Sequence, residues 1–480
     1  MKPFQPIENK EFIGRSRERK QLCKIGQSDE AEIVVLYGRR RVGKTELLEQ
    51  CYRERNLLKF EGLEGQPSQV QMASVMDDLA RYTEQPLLSQ VQVQTWKDVF
   101  HHIYTHTQSG TWTIYFEELQ WLAEYKDDFI SILKFAWDNW FRRNPNLLMI
   151  LCGSSPSFMI QHVMHSRSLY NRSQHEMHLQ PLSLQEAAAY MGDKYSKQDI
   201  MDAYLTVGGI PLYLKQLKQD SSIWLSLCQS GFVQDAFFSK EHARIFVSSM
   251  SDDPNYKKVI AYLAKKPHAT RADILKHLKI SSGGGVTALL NDLELCGLMR
   301  KYAPVFSGKE SRLARYAIDD PYLHFYYQFI ASQQKAITQG KFNDDPTMGI
   351  THQKYQQWLG YAFERFCQRY AHRIAERLGF SAVQYDSGAY YNRSTSKDDP
   401  GYQIDLVYDR ADNVLTVCEI KYLKDKVPSK VIVEFEKKLA RLDMKKERTI
   451  HKVLITMNGA EQSVINDGYF DRILTVDDFF

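Results

Sequence analysis

Residues 33–45 read Ile33-Val34-Val35-Leu36-Tyr37-Gly38-Arg39-Arg40-Arg41-Val42-Gly43-Lys44-Thr45. The apolar run 33–37 has the length and composition of a buried strand, and residues 44–53 continue as a helical pattern. Between them, Gly38 to Thr45 fits G-x-x-x-x-G-K-[ST]. A strand before and a helix after are the context in which that pattern forms a phosphate-binding loop. Its glycines let the backbone wrap an anion, so that N–H groups and the helix N-terminus face the phosphates. Gly38, Arg39, Arg40, Arg41, Val42 and Gly43 are therefore expected to line a nucleotide. Lys44 should reach its β- and γ-phosphates and Thr45 should hold Mg²⁺. ATP and Mg²⁺ are the expected cofactors.

Working outward, the apolar runs 57–60, 112–116 and 147–152 are separated by helical patterns, which implies a parallel α/β sheet. The run 112–116 ends in Glu117-Glu118, placing two carboxylates at the sheet edge beside the phosphate loop. Glu117 would orient Mg²⁺ or its water, and Glu118 would polarise the attacking water. After the run 147–152, Ser154 would sense the γ-phosphate or simply belong to a strand-to-helix turn. Arg167 and Arg172 follow. Either would reach the phosphate of a neighbouring subunit in a homo-oligomer, or lie on the surface.

The whole chain has 480 residues, 43% hydrophobic and 25% charged, enough for two to four packed domains. Its 62 basic against 58 acidic residues give only +4, so nucleic-acid binding would have to come from a local cluster. The seven cysteines are scattered without a C-x-x-C spacing and read as reduced thiols of a cytoplasmic protein. No leader pattern and no membrane-length apolar run is visible, so no membrane partner is expected.

Residues 183–330 are mostly helical, with short helices expected at 255–263, 271–278 and 286–296 and a strand pair over 301–318. Three helices and a hairpin make a winged helix. Ser281 and Ser282 with three glycines would precede its third helix, and Arg300, Lys301, Lys309, Arg312 and Arg315 would decorate the wing. Such a unit binds DNA or serves as packing. Residues 334–351, with Gly, Pro, Asn and Asp, read as a linker.

The last part reads as a long helix over 355–378, a β-hairpin over 402–422, a helix over 430–441 and a strand over 451–457. Asp405 lies in the first hairpin strand, and Glu419 and Lys421 share a face of the second. Two carboxylates such as Asp405 and Glu419 can bridge divalent metal, and a lysine beside them can position water or steady a phosphorane. The alternative is a charged hairpin face. The stretch 424–448, with nine basic residues against five acidic, suits a phosphate backbone or a solvated helix face.

Two resemblances follow. Residues 12 to about 211 resemble the archaeal-type P-loop ATPase family, among the AAA+-like and STAND ATPases. Carrying residues are Phe12-Ile13-Gly14-Arg15 with Glu18, Tyr37 through Thr45, Glu117-Glu118-Leu119-Gln120, Cys152-Gly153-Ser154 and Gly208 through Tyr213. The resemblance implies that Gly209 and Pro211 pack near the adenine. It also implies Asp where this chain has Glu117; the extra methylene moves the carboxylate by ~1.5 Å, which bears on Mg²⁺ geometry and so on hydrolysis more than on binding. Ile404-Asp405 with Cys418-Glu419-Ile420-Lys421 resembles the PD-(D/E)xK nuclease superfamily. That resemblance implies an upstream helical acid, matched by Glu364, and assigns Glu364, Asp405, Glu419 and Lys421 to cleavage, with Asp405 and Glu419 on the metal.

The expected architecture is α/β throughout: a P-loop parallel-sheet ATPase domain over 1–180, a helical lid over 181–250, a winged helix over 251–333 and a mixed α/β restriction-endonuclease-like domain over 352–480. The expected function is ATP binding coupled to Mg²⁺-dependent DNA binding or phosphodiester cleavage, in DNA processing or defence. The alternative is a STAND-type nucleotide-switched regulator with a catalytically silent C-terminal domain.

Overall fold

The computed structural model describes residues 8–10, 12–165, 175–220, 222–249, 253–266, 269–281, 283–302, 305, 314–392, 402–442 and 448–480. Arg167, Arg172, Ser282, Lys309, Arg312, Lys445 and Lys446 lie outside the described residues.

The apolar runs of the first third become β1 (Glu32–Tyr37), β2 (Asn56–Glu61), β3 (Trp112–Glu117) and β4 (Leu147–Gly153), joined by a short β5 (His175–His178). They form one parallel sheet in the order β2-β3-β4-β1-β5. Because β4 lies between β1 and β3, the ends of β1, β4 and β3 converge on one edge, where the phosphate loop, Ser154 and the two glutamates sit. Alternate residues of each strand serve two cores. Ile33, Val35, Met149 and Leu151 pack on one face with residues up to Val163, whereas Val34, Leu36, Leu148 and Ile150 pack on the other. That second core continues through the middle helices into the C-terminal part, as far as Phe479.

In the middle, helices Asn255–Lys265, Arg271–Leu278 and Gly284–Leu295 pack with an antiparallel sheet of β6 (Ala269–Thr270), β7 (Met299–Tyr302) and β8 (Arg315–Ile318), in the order β6-β8-β7. Residues 334–351, expected as a linker, are packed instead. They hold a helix Gln334–Thr338 and a turn Pro346–Gly349, with Ile337, Phe342 and Ile350 buried. Gly349 lies so close to Phe232 that a Cβ would come within 2.3 Å of its ring.

The C-terminal part is a mixed sheet, β13-β12-β11-β10-β9, built from β9 (Tyr385–Asn392), β10 (Tyr402–Arg410), β11 (Val414–Lys421), β12 (Thr449–Thr456) and β13 (Arg472–Leu474). Pairs β9/β10/β11 are antiparallel and β11/β12/β13 parallel. The helix His352–Arg369 covers one face through Phe363, Phe366 and Cys367, against Leu406, Tyr408 and Cys418. The helix Lys430–Leu439 covers the other through Val431 and Phe435, against Ile404, Val407 and Val417. The single long helix expected over 355–378 breaks at Tyr370 into His352–Arg369 and Ala371–Leu378. The Tyr370 hydroxyl is held by Tyr204 OH at 2.6 Å, and Tyr408 OH donates to the Ala371 carbonyl at 2.8 Å. Tertiary hydrogen bonds thus outweigh the local helical pattern. Among the described residues, no helix is long and apolar enough to cross a membrane.

Candidate functional site: a nucleotide loop and a buried acid pair

The loop leaves β1 at Gly38, where a Cβ would come within 2.5 Å of the Leu179 carbonyl, and enters the helix Lys44–Tyr52 at Gly43, which is left-handed with φ 91°. Lys44 Nζ folds back on the loop, donating to the carbonyls of Gly38 at 2.9 Å and Arg39 at 3.3 Å. The Thr45 hydroxyl donates to Glu117 Oε1. Glu117 Oε2 receives Lys59 Nζ at 2.8 Å, and the same ammonium reaches Glu49 at 3.0 Å. These carboxylates raise the Lys59 pKa against the desolvation that opposes them.

Glu118 is left-handed, with φ 50°, and this turns its carboxylate toward the end of β4. Its Oε2 accepts from Ser154 Oγ at 2.5 Å, from Ser154 N–H at 3.2 Å and from Gln120 Nε2 at 2.7 Å. Ser154 and Glu118 are thereby one hydrogen-bonded unit at the expected place of the attacking water. A cavity of about 500 Å³ opens over the loop, lined by Gly43, Lys44, Thr45, Glu117, Glu118 and Pro211 among others. Phe12, Ile13, Tyr190 and Leu212 form its apolar side, of a kind that suits a base. Pro211 Cγ stands 3.9 Å from where a Gly43 Cβ would be. Gly209 presses on Leu182, where a Cβ would meet the carbonyl oxygen at 1.9 Å.

The loop arginines divide their tasks. Arg40 lies 6.0 Å from the Trp121 ring and lines the cavity. Arg39 is buried and ion-paired with Asp320, which also caps the helix Pro321–Phe325 by accepting from Leu323 N–H at 2.6 Å. Arg41, left-handed at φ 72°, pairs with buried Glu241 and lies over the Phe237 ring. Tyr213 OH donates to the other oxygen of Glu241 at 2.7 Å. Arg39 therefore ties the loop to the helices behind it, and Arg41 does so while also lining the cavity.

In the C-terminal sheet, Leu406 opposes Cys418, and the same register brings Asp405 opposite Glu419. Asp405 Oδ2 accepts from Ile420 N–H at 3.3 Å. Glu419 is fully buried and gripped by two ammonium groups, Lys438 Nζ at 2.7 and 2.9 Å and Lys421 Nζ at 3.0 Å. Glu364 rises from the helix on the other face of the sheet. Burial, then the Asp405 charge, pushes Glu364 up to about 7; burial, then the Glu419 charge, pushes Asp405 up to about 6. Among the described residues, no three His, Cys, Asp or Glu side chains are gathered as a metal site. The structure thus brings Asp405, Glu419 and Lys421 together and leaves Glu364 as a neighbour through charge. The basic stretch is not one solvated face: Lys438 turns inward to Glu419, and Arg448 pairs with Asp409.

Residues 12–217 match the sequence model of an ATPase domain found predominantly in Archaea, and residues 326–434 match a family of archaeal and bacterial proteins of unknown function. The chain carries a P-loop ATPase domain. The Walker-type ATPase PABY2304 of Pyrococcus abyssi shares its fold, with TM-score 0.51 and 16% identity over 68% of this chain and 98% of that one. An uncharacterized protein of Methanocaldococcus jannaschii, MJECL04, is 24% identical over 89% of this chain and 91% of its own length.

Around the ATPase site, three functional contacts were not read from sequence. Lys59 had a visible signal, since a lysine inside the apolar run Leu57-Leu58-Lys59-Phe60 needs a partner. Asp320 and Glu241 had none: Asp320-Pro321 reads as an ordinary helix start. Arg300, expected to decorate a wing, instead faces the C-terminal helix, donating from Nη2 to Gln368 Oε1 at 2.9 Å.

Proposed function

We propose that nucleotide at the Gly38–Thr45 loop governs metal-dependent phosphodiester cleavage of DNA at Asp405, Glu419 and Lys421. The observation that carries this reading is the acid pair facing across β10 and β11 with an ammonium on Glu419 at 3.0 Å. Glu364, Asp405 and Glu419 gather carboxylate oxygens in a largely buried setting, beside the cations Arg365, Lys421 and Lys438. Such oxygen donors suit Mg²⁺ or Mn²⁺, and Asp405 and Glu419 would hold the ion, which would supply charge to an attacked phosphate. Lys421 would steady that phosphate and Glu364 would act as the neighbouring acid. At the loop, Thr45 and Glu117 are a hydroxyl–carboxylate donor set that fits Mg²⁺. Lys44 would contact the β- and γ-phosphates, Glu118 would orient the attacking water through its Ser154 link, and Gly209 and Pro211 would border the base. The three helices and three short strands of the middle would act as a winged helix. Arg172 as a residue reaching a neighbouring subunit stays part of this proposal.

The test is cleavage of single- and double-stranded DNA with Mg²⁺ or Mn²⁺, with and without ATP. Cutting should vanish in Glu419→Ala, and Lys44→Ala should remove its response to ATP. No cutting under any of these conditions would exclude the reading.

One observation favours a nucleotide-switched regulator with a silent C-terminal part. Both oxygens of Glu419 are already occupied by Lys438, and Lys59 stands on the carboxylate that would serve Mg²⁺ at the loop. DNA binding that depends on ATP, without cleavage, would establish that alternative.

A further inference from the structure

Beside the acid pair, between the middle helices and the helix His352–Arg369, lies a cavity of about 330 Å³. That is the size of a small-ligand pocket, and a duplex is far too wide for it. Arg300, Tyr327, Trp358, Tyr361, Arg365 and Gln403 line it. Its floor leads to the proposed cleavage site: Gln403 Nε2 lies 3.5 Å from Asp405 Oδ1, and Gln368 Nε2 donates to the Asp405 carbonyl at 3.1 Å.

The two arginines are engaged by the protein to different degrees. Arg365 lies over the Trp358 ring and makes no hydrogen bond or ion pair among the described residues. Arg300 is half engaged: its Nη2 donates to Gln368 Oε1 at 2.9 Å and Asp319 Oδ1 stands 3.9 Å from its buried Nε. A guanidinium left with free donors in a polar cavity, as Arg365 is, is matched by phosphate, which takes its N–H groups in pairs, and Arg300 adds a second positive charge beside it. At the mouth, Tyr361 exposes 63% of its surface, an aromatic face available for stacking. Tyr361, Glu364, Arg365 and Gln368 follow one another at helical spacing on one face, so aromatic, acid and cation line up along the path. On the far side of Tyr361 and Glu364 the lining carries Asp199, which repels a polyanion.

We propose that this cleft holds an unpaired nucleotide of a single-stranded nucleic acid, its phosphate on Arg300 and Arg365 and its base on Tyr361. Delivery of that strand to Asp405 and Glu419 rests on the cleavage reading above; the binding itself does not.

The experiment measures fluorescence anisotropy of a labelled oligothymidylate, its blunt duplex and an oligouridylate against the full chain in EDTA. The single strands should bind more tightly than the duplex. Tyr361→Ala and Arg365→Gln should each weaken strand binding about tenfold, as loss of a stacked base or a phosphate contact does. Arg365→Gln should also lower the salt slope by about one, and Arg365→Lys should restore that slope. Preference for the DNA or the RNA strand names the sugar and supports the cleft in either case. Parent affinity in both variants, or tighter binding of the duplex, would overturn the proposal. Cutting lost in Glu419→Ala beside parent-like binding in both cleft variants would remove the cleft and keep cleavage. Tenfold weaker binding in both variants with no cutting by the parent would do the reverse.

Discussion

Arg39 belongs by sequence to the phosphate loop and by structure to a buried ion pair with Asp320, 281 residues away. Removing one partner of a buried pair leaves the other charge uncompensated, which costs about 3–5 kcal/mol. Arg39→Ala should therefore lower the urea midpoint sharply, and Arg39→Met combined with Asp320→Leu should recover most of it; equal midpoints for the single and double variants would contradict this. Asp202 gives a pH signature. Burial pushes its pKa up to about 7 against the pull of the Tyr422 hydroxyl that donates to it. The native state then binds this proton more tightly than the unfolded chain, whose Asp titrates near 3.9. Its contribution is most favourable below about pH 4, falls as pH rises toward about 7 and is level above. Asp202→Asn keeps the acceptor and removes that fall, so its stability gain over the parent in urea titrations should be larger at pH 8 than at pH 5. At this scale the sequence was legible where function is contiguous. Gly38 through Thr45 can be read as a string because successive backbone N–H groups face one anion. Glu241 and Asp320 could not, because nothing local marks which distant arginine a buried acid meets.

Among elements, the interior strands β1, β3 and β4 were readable because burial on both faces demands apolar runs, and β10 and β11 because two alternating segments flank a turn. The strands that escaped, β5, β6, β9 and β13, all lie at sheet edges. One side of each is unpaired, and sequences such as His175-Glu176-Met177-His178 carry no apolar run. The connection after Leu182 is more constrained than its composition suggests. Leu182 N–H donates to the Gly209 carbonyl at 2.8 Å, and any side chain at 209 would collide with the Leu182 carbonyl. Gly209→Ala should displace this connection and Pro211 with it, weakening binding of a fluorescent ATP analogue at least tenfold; unchanged affinity would show that the contact yields freely. Gly285, in the helix Gly284–Leu295, has nothing within 4 Å of a Cβ. Gly285→Ala should stabilise by about 0.5–1 kcal/mol, seen as a higher melting temperature.

For the molecule as a whole, one core lies within Ile33 to Val163, a second within Ile404 to Phe470, and a third runs across all the segments visible in the sequence. Tyr355 OH meets Thr206 Oγ1 at 2.7 Å, Tyr422 OH donates to Asp202, and Gln185 Nε2 donates to the Phe479 carbonyl at 2.8 Å. The C-terminal sheet thus rests on the helices that follow the ATPase sheet, through one continuous apolar core. A fragment of residues 352–480 should expose the apolar face of His352–Arg369 and aggregate, whereas the full chain should melt in a single transition by calorimetry; a soluble fragment with a cooperative melt of its own would refute this. The linker expected at 334–351 was misread for the same reason, since Gly, Asn and Pro mark a turn equally well whether it is solvated or packed on Phe232.

The two faces of the ATPase sheet also set an order in time. One core draws only on residues from Ile33 to Val163, so it can close when the first third of the chain has left the ribosome. The core on the opposite face starts from early residues such as Leu22, Leu47 and Leu48 but is completed only by residues as late as Phe479. Contacts of that sequence separation form slowly and leave apolar surface open to other chains meanwhile. Nascent chains stalled near residue 340 should accordingly present the unfinished end of that core, bind holdase chaperones, and be released from them when translation of the last 140 or so residues resumes.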